Sequence, residues 1–470
     1  MSWTLLSVEI ALAALGSVLL MLGLLLPEKG RRVMQPVAVI ALLGILILGG
    51  GLYTAQYSLF NGNYQIDPFG SFFKLLFVAA GILVILSAGR YLERFEERVN
   101  EFYSFMIFAL LGMVVMASAG ELITLYIGLE LMTVSFYILT AYLLQDKLSA
   151  EAGLKYLILG ALSSAILLFG ISLVYAVTGT TVIADMAAQF SMQPVMIAGI
   201  ILILTGFAFK ISLVPFHMWA PDIYQGAPIP VTAFLAVGSK AAAFAAMVRV
   251  FVIAFPVSTF DWPLLLAILA AITIVVGNLI ALVQTDIKRL LAYSSIAQAG
   301  YIIVGLVAYN TYGLKGVLFY AMLYVFSNMG AFAAATIVEV ETGSTDIKAF
   351  NGLARRSPMV AAIMTVCMLS LAGIPPTAGF VGKFYLFSGA IQADYLWLAF
   401  VGLIMSMISV YYYLKVAKAM YIGTNDDVSA IKPGKAVGAA LWVCLAGTLL
   451  FGLYPGPLSN LAQVAIQIFL

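Results

Sequence analysis

The sequence predicts an all-helical protein that crosses a membrane many times. Of its 470 residues, 63% are apolar and only 9% are charged, whereas a soluble domain carries about 25% charged residues. A surface with so few charges is stable only against lipid. Apolar runs of about 20 residues, enough to cross the hydrocarbon core, recur along almost the whole chain, which excludes a β-barrel with its short alternating segments.

We expect about fourteen transmembrane helices. The first apolar run is a true span, because it is too long for a signal-peptide core and ends in charged rather than small residues. An even number of spans places both termini on one side of the membrane. The predicted spans are 3–26, 33–54, 70–89, 103–119, 121–144, 153–177, 196–225, 230–254, 263–284, 290–308, 315–338, 359–391, 395–420 and 437–455.

The distribution of positive charge predicts which side that is. Loops that face the cytoplasm are enriched in lysine and arginine. Alternate loops hold sixteen of the 23 basic residues, namely Lys29, Arg31, Arg32, Arg90, Arg94, Arg98, Lys147, Lys288, Arg289, Lys348, Arg355, Arg356, Lys415, Lys418, Lys432 and Lys435. We therefore expect a multi-pass protein of the bacterial inner membrane, with both termini on the non-cytoplasmic side.

Two of the predicted spans are too long and contain proline, at Pro215 and at Pro375-Pro376. Proline breaks a helix, and a broken helix inside a membrane is tolerated only where protein or water surrounds it. The breaks lie five spans apart, as in transporters built from inverted repeats. We predict a three-helix segment (1–100), a first five-helix repeat (101–258), a second inverted repeat (259–420) and a C-terminal segment with the last helix (421–470).

The few sulfur and imidazole ligands argue against a resident metal or redox centre. Cys367 and Cys444 are the only cysteines, both lie in apolar runs, and His217 is the only histidine. A transmembrane haem usually needs two axial ligands, and an iron–sulfur cluster needs several thiolates. We therefore expect no haem, cluster or zinc in this chain.

Several ionisable residues remain within the predicted spans, where each charge costs about 2.5–3.5 kcal/mol at mid-bilayer. They are Glu9, Glu130, Lys155, Lys210, His217, Lys240, Arg249 and Lys383. Three deep lysines cannot all pair with the one deep carboxylate, Glu130. Because desolvation favours the neutral form of an amine, such lysines are suited to a proton relay, although structural ion pairing is the simpler alternative for each.

Other members of this set have a plainer interpretation. Lys155 follows Glu151 by one turn and is also explained as an interfacial ion pair. Arg249 lies near the outer surface and is read as an anchor, and Glu9 is left unassigned. His217 is either a core histidine or, because it lies at a helix break one turn beyond the relay lysine, a second relay group.

Further polar residues extend these patterns. Asp222 and Gln225 follow the first break, where they fit a hydrated entrance or simple loop capping. Ser294, Ser295 and Gln298 form a polar stripe on the tenth span, which either carries water or joins helices.

The segment from Phe209 to Lys240, FKISLVPFHMWAPDIYQGAPIPVTAFLAVGSK, is very similar to the signature of the antiporter-like membrane subunits of respiratory complex I, most closely the N type. The resemblance covers roughly residues 100–420. It includes YIGLELMTVSFYILTAYLL around Glu130, EAGLKYLILGALSSA around Lys155, TDIKRLLAYSSIAQAGY from Thr285, and SLAGIPPTAGFVGKFY around Lys383.

The resemblance implies a proton-pumping membrane-arm subunit of NADH:quinone oxidoreductase, a translocase whose activity belongs to the whole complex. It implies a charge pair of Glu130 and Lys210, a central relay at Lys240 and an exit group at Lys383. Lys155 and His217 match accessory positions. NADH, FMN, iron–sulfur clusters and quinone are then expected on other subunits, and the partners are neighbouring antiporter-like and small membrane subunits and the lipid bilayer, with no nucleic acid.

Gln298 departs from this pattern, since many relatives have histidine in a Ser-His-Leu-Gly context. Glutamine cannot titrate, so a relay here must run through water at that point. Two alternatives share features of the sequence: a subunit of a Mrp-type cation/proton antiporter or membrane-bound hydrogenase, and a non-transporting structural subunit. The full SLVPFHMWAPDIYQGAPIP string favours complex I, and the structural reading leaves the deep lysines unexplained.

The orientation leads to a direct test. Single cysteines introduced into the 339–357 loop and the 28–32 loop should react with a membrane-impermeant thiol reagent only from the cytoplasmic side, because both loops belong to the lysine- and arginine-rich set. The measurement compares intact cells with inside-out vesicles. Labelling of either loop in intact cells would reverse the predicted orientation.

Overall fold

A computed structural model describes residues 3–26, 33–93, 99–143, 145–424 and 429–470. Within these ranges twelve helices are long and apolar enough to cross a membrane, which confirms the prediction of a helical, multi-pass membrane protein. The count of fourteen spans and the repeat boundaries stay predictions. The predicted cytoplasmic residues Lys29, Arg31, Arg32, Arg94 and Arg98 lie outside the described residues.

The helices follow one another through short connections. They are α1 (Ser7–Leu25), α2 (Met34–Gly51), α3 (Pro68–Leu92), α4 (Val99–Ser118), α5 (Leu122–Thr140), α6 (Lys147–Thr178), α7 (Ile183–Met186), α8 (Pro194–Lys210), α9 (Trp219–Gly226), α10 (Ile229–Phe234), α11 (Lys240–Ala254), α12 (Trp262–Leu282), α13 (Ile287–Ala308), α14 (Thr311–Thr342), α15 (Leu353–Arg356), α16 (Pro358–Ala372), α17 (Ala378–Gln392), α18 (Leu396–Ile422), α19 (Lys435–Leu453) and α20 (Gly456–Ile466).

Both proline-containing spans are broken, as predicted. The seventh is α8 followed by α9, and the twelfth is α16 followed by α17. Each break contains one cis peptide bond, Val214–Pro215 in the first and Pro375–Pro376 in the second. The last carbonyl groups before a break have no intrahelical donor. In the first break the indole Nε1 of Trp219 donates to the carbonyl of Phe209 at 2.8 Å, so protein satisfies that group.

One part of the chain departs from the all-helical prediction. Strands β1 (Tyr57–Leu59) and β2 (Tyr64–Ile66) form a small antiparallel hairpin between α2 and α3. Its turn contains Asn61-Gly62, with φ values of 57° and 98°. Asn-Gly is a strong hairpin signal, because both residues adopt positive φ readily. The signal was present in the sequence, but it is short and lies between two long apolar runs.

The helix that carries Lys240 is the most deeply buried of the long apolar segments described. Residues 229–251 are all buried, whereas only 28% of Met34–Gly51 is buried. Small side chains let neighbouring helices approach closely without the help of the hydrophobic effect. The start of α11 is built of them: Ala241, Ala242, Ala243, Ala245 and Ala246, all buried.

Arg249, predicted to be an anchor near the outer surface rather than a relay, has a structural role in a buried ion pair. Its side chain is buried and donates from both terminal nitrogens to the carboxylate of Asp67, at 2.8 and 3.0 Å, and to the carbonyl of Ala117. Although burial by itself raises the pKa of Asp67, the Arg249 guanidinium lowers that pKa below its usual value. The pair joins α11 to the start of α3. Sequence analysis did not predict the pair, because the two residues lie 182 positions apart.

Glu9, left unassigned from the sequence, has a structural role in the same region. Its carboxylate is 2.6 Å from the ammonium of Lys74 and accepts a 2.6 Å hydrogen bond from the hydroxyl of Tyr64 in the hairpin. A buried charge is tolerated when it is paired and hydrogen-bonded. Glu9 therefore joins α1 to α3 and to β2.

The buried pair predicts a large effect on stability. Arg249→Ala should destabilise the protein by about 3–5 kcal/mol, because it leaves the Asp67 carboxylate buried without its partner. Thermal unfolding of the purified complex, together with the amount of assembled complex, measures this. The double variant Asp67→Asn/Arg249→Gln should lose less stability, because it leaves no buried charge without a partner. Arg355→Ala, at an exposed arginine, is the control, and equal melting of Arg249→Ala and Arg355→Ala would contradict the prediction.

Candidate functional site

The three lysines predicted to form the proton relay, in α8, α11 and α17, are all buried. Lys210 and Lys240 are each 3% exposed, and Lys383 is 4% exposed. In the part of the chain that the structure describes, none of their ammonium groups is in contact with a carboxylate. Structural ion pairing, the simpler alternative, therefore does not account for them. Each is held instead by hydroxyl or carbonyl oxygen.

Lys210 ends α8 and reaches across to α5. Its Nζ donates to the hydroxyl of Thr133 at 2.9 Å. Glu130 lies one turn before Thr133 on the same helix, so the two side chains share a face. The Glu130 carboxylate acts electrostatically on the Lys210 ammonium, and its Oε1 is buried with no hydrogen-bond partner among the described residues. The geometry is that of two charged groups that are close without direct contact.

Lys240 is the first residue of α11 and directly follows a π-helical turn, Leu235–Ser239. Such turns are frequent at functional sites. The Lys240 Nζ donates to the hydroxyl of Ser295 at 2.8 Å and to its carbonyl at 3.1 Å. It also lies 5.8 Å from the ring of Tyr224. A cavity of about 10 Å³, roughly the space for one water molecule, lies beside it and is lined also by Ser295, Gln298 and Tyr324.

Lys383 reaches back from α17 to the open end of α16. Its Nζ donates to the carbonyls of Leu371 and Ala372, at 3.1 and 2.9 Å, and to the hydroxyl of Ser406 at 2.8 Å. An ammonium group has three donors, and all three are used. The carbonyl end of a helix carries partial negative charge, so the break itself provides the cation site. Gly373 has φ 87°, and a Cβ there would meet Lys383 Cδ at 2.9 Å, so the site requires glycine.

His217 lies in the break between α8 and α9. It is buried, and its Nδ1 has no hydrogen-bond partner among the described residues. The charge of Lys240 acts electrostatically on its imidazole. A buried imidazole nitrogen without a protein partner is unusual in a merely structural histidine. A role of His217 in the proton path stays a prediction.

Lys155 lies apart from the buried lysines. Its side chain is 40% exposed and forms ion pairs with Glu151 at 2.6 Å and with Asp222 at 2.8 Å. Asp222 also accepts from Arg289, at 2.9 Å. These charges connect α6, α9 and α13 at the end of the bundle that is predicted to face the cytoplasm. The pair with Glu151 is the interfacial alternative that the sequence left open.

The oxygen atoms that hold the lysines were mostly not predictable. Ser295 belonged to the polar stripe, but Thr133 and Ser406 are single hydroxyls within apolar helices, and the Leu371 and Ala372 acceptors are backbone atoms. The described residues contain no group of three or more His, Cys, Asp or Glu side chains that could hold a metal ion. The titratable and polar groups that the predicted site contains are amines, a carboxylate, an imidazole and hydroxyls.

Comparison with known proteins agrees with this geometry. A sequence model for NADH:quinone oxidoreductase/Mrp antiporter, TM, matches residues 119–409. The chain is 54% identical over 465 residues to NADH-quinone oxidoreductase subunit N of Moorella thermoacetica, covering 98% of this chain and 97% of that one. The corresponding subunit of Desulforamulus reducens is 49% identical, covering 100% and 99%. A chain of Thermus thermophilus respiratory complex I superposes with a TM-score of 0.82 at 32% identity, covering 96% and 98%.

The contacts of Lys210 lead to a coupling prediction. Glu130→Gln removes the charge that acts on the Lys210 ammonium, and Thr133→Val removes its hydroxyl acceptor at similar volume. Each should lower proton transport by the complex. We express each loss of transport rate as a change in activation free energy. The change for the double variant should be smaller than the sum of the two single changes, because both substitutions act on one ammonium group. Proton uptake into inside-out vesicles measures this, with Thr205→Val, at an exposed threonine of α8, as the control. Strict additivity would show that the two residues act independently.

Proposed function

The chain belongs to the NADH:quinone oxidoreductase/Mrp antiporter family of membrane subunits, and we propose that its buried lysines are the stations of its proton path. It is a proton-translocating membrane-arm subunit of NADH-quinone oxidoreductase in the bacterial inner membrane, and other membrane-arm subunits are its partners. The observation that supports the path best is the set of three deeply buried amines, Lys210, Lys240 and Lys383, with no carboxylate in contact in the described structure.

The proposed path begins with Glu130 and Lys210. Because they are near one another without direct contact, a small movement of either changes the electrostatic energy of the Lys210 ammonium. At an effective dielectric constant of about 20, two unit charges 4 Å apart interact by about 4 kcal/mol, and this energy is inversely proportional to the distance. A shift of 1.36 kcal/mol corresponds to one pKa unit. Modest separation of the pair is therefore enough to change the proton affinity of the next station.

Lys240 is the central station. Its acceptors are the hydroxyl and carbonyl of Ser295, which satisfy the ammonium but do not fix its charge as a carboxylate would. Repulsion from a positive Lys210 favours release of the Lys240 proton, and pairing of Lys210 with Glu130 favours its uptake. His217, in the break beside this region, is a further proposed station.

Lys383 is the proposed exit group. Its ammonium is held by carbonyls at the open end of α16, whose partial negative charge does not depend on pH. Proton release on this side then requires an electrostatic effect from Lys240. We place both chain termini on the non-cytoplasmic side, as the distribution of lysine and arginine predicts. Lys155 then belongs to the cytoplasmic end and supports the entrance rather than the central path.

We infer that the redox groups lie outside this chain. One histidine and two buried cysteines do not provide the ligands of a haem or an iron–sulfur cluster. NADH, FMN, the clusters and quinone are therefore assigned to other subunits. Oxidoreduction is a property of the complex, and this subunit contributes proton transport.

The central assignment is tested at Lys240. Lys240→Ala removes the titratable group, and Lys240→Arg keeps a permanent positive charge that cannot release its proton. Both variants should lower proton pumping by about tenfold or more in assembled complexes, and lower quinone reduction where the two are tightly coupled. Proton uptake by inside-out vesicles supplied with NADH and quinone measures this.

The control is Lys418→Ala, which removes an exposed lysine of α18 and should leave pumping unchanged. Quantification of the assembled complex separates loss of pumping from loss of assembly. Pumping at the wild-type rate by assembled Lys240→Ala complexes would show that Lys240 is only structural.

A further inference from the structure

Gln298 occupies the stretch between Lys240 and Lys383, and its side chain has no titratable group. It lies in α13, is 1% exposed, and forms three hydrogen bonds. Its Nε2 donates to the carbonyl of Leu371 at 2.8 Å and to the hydroxyl of Tyr413 at 3.2 Å. Its Oε1 accepts a hydrogen bond from the hydroxyl of Tyr320 at 2.5 Å.

These partners determine how the amide is oriented. A carbonyl oxygen can only accept, so the group that faces Leu371 must be the Gln298 NH₂. Tyr320 then donates to the amide oxygen. Tyr413 is itself fixed from the far side by Ser294, 2.5 Å away. The side chain is thus held from α14, α16 and α18, and rotation would break all three hydrogen bonds.

The Leu371 carbonyl is shared between two donors. Gln298 Nε2 and Lys383 Nζ, 2.8 and 3.1 Å away, both donate to it. A carbonyl oxygen has two lone pairs, so this acceptor is fully used. Gln298 keeps its hydrogen bond whether or not Lys383 is charged. It therefore holds the open end of α16 in the position that receives the Lys383 ammonium.

The other side of the Gln298 side chain faces Lys240. Together with Ser295 and Tyr324 it lines the cavity beside Lys240. One side chain thus borders the surroundings of Lys240 and hydrogen-bonds the carbonyl that holds Lys383. A side chain that only joined helices would not need to be in both places.

We propose that Gln298 is a positioning residue of the proton path, which orients the end of α16 for Lys383 and joins that site to the Lys240 cavity. The inference rests on the proposed function of the two lysines. When one proton moves, Lys240 loses it and Lys383 gains it, and no bond to Gln298 forms or breaks. Tyr320 and Tyr413 act through Gln298 by fixing its amide.

Two substitutions of Gln298 test this in the assembled complex. Gln298→Leu removes the hydrogen bonds at similar volume and should lower proton pumping by about tenfold, the loss expected for one or two buried hydrogen bonds. Gln298→Glu keeps the shape, loses the donor to the Leu371 carbonyl, and places a carboxylate beside Lys383, which favours the charged lysine. The alkaline limb of the pumping rate against pH should then move up by roughly one pH unit, a change that a purely structural residue would not produce.

Tyr413→Phe gives a second measurement with little change of volume. It removes the hydrogen bond from the Gln298 amide to the Tyr413 hydroxyl. The loss of pumping should be smaller than in Gln298→Leu, about two- to threefold. Its control is Tyr385→Phe, in the same helix as Lys383, whose hydroxyl contacts Ser459 instead. Gln284→Leu, at a half-buried glutamine that follows α12, is the control for Gln298→Leu. Both controls should pump at the wild-type rate.

The outcomes separate the inference from the function on which it rests. Wild-type pumping by Gln298→Leu, or an unshifted pH profile for Gln298→Glu, overturns the role of Gln298 even when Lys240→Ala abolishes pumping. Wild-type pumping by Lys240→Ala overturns the proposed function as well. If the Gln298→Leu complex does not assemble, the pH profile of Gln298→Glu tests the role of Gln298. If neither variant assembles, the role is tested by the loss of pumping in Tyr413→Phe relative to Tyr385→Phe.

Discussion

The proposed proton path needs amines that gain and lose protons inside a membrane, and this requirement is the constraint on which the rest of the structure depends. A charged lysine in hydrocarbon is costly, and a carboxylate in direct contact would hold it charged. In this protein the ammonium groups donate to uncharged oxygen atoms instead. These are the Thr133 hydroxyl for Lys210, Ser295 for Lys240, and two carbonyls with a hydroxyl for Lys383. These acceptors support the ammonium without excluding the neutral amine.

Neutral acceptors at this depth must come from an interrupted backbone or from hydroxyls on the most closely packed helices. An intact helix uses its own carbonyls, so a break is the natural source of free ones. The π-helical turn before Lys240 and the positive φ of Gly373 are local irregularities beside two of the lysines. The full burial of the segment that contains Lys240 keeps such irregular backbone away from lipid.

Sequence reasoning predicted the features that have a large energetic cost and missed those that depend on packing. Charges in apolar runs and prolines in long spans are rare, so Lys240 and the Pro215 break were evident. The Asn61-Gly62 hairpin had a signal, but a weak one between two long apolar runs. The Asp67–Arg249 pair joins residues 182 positions apart, and no pattern in the sequence brings them together. The same holds for Thr133 and Ser406, which resemble ordinary hydroxyls of apolar helices.

The two breaks hold their lysines in different ways, and the difference suggests a direction. In the first break the Phe209 carbonyl is occupied by Trp219, so Lys210 reaches the hydroxyl of another helix and is affected by Glu130, which can change its charge. In the second break the free carbonyls bind Lys383 directly, and their dipoles are constant. A lysine beside a titratable residue can change its proton affinity when that residue changes its charge. A lysine held by fixed carbonyl dipoles returns to the same proton affinity each time it has released a proton. Lys210 is therefore suited to receive the signal and Lys383 to end the path.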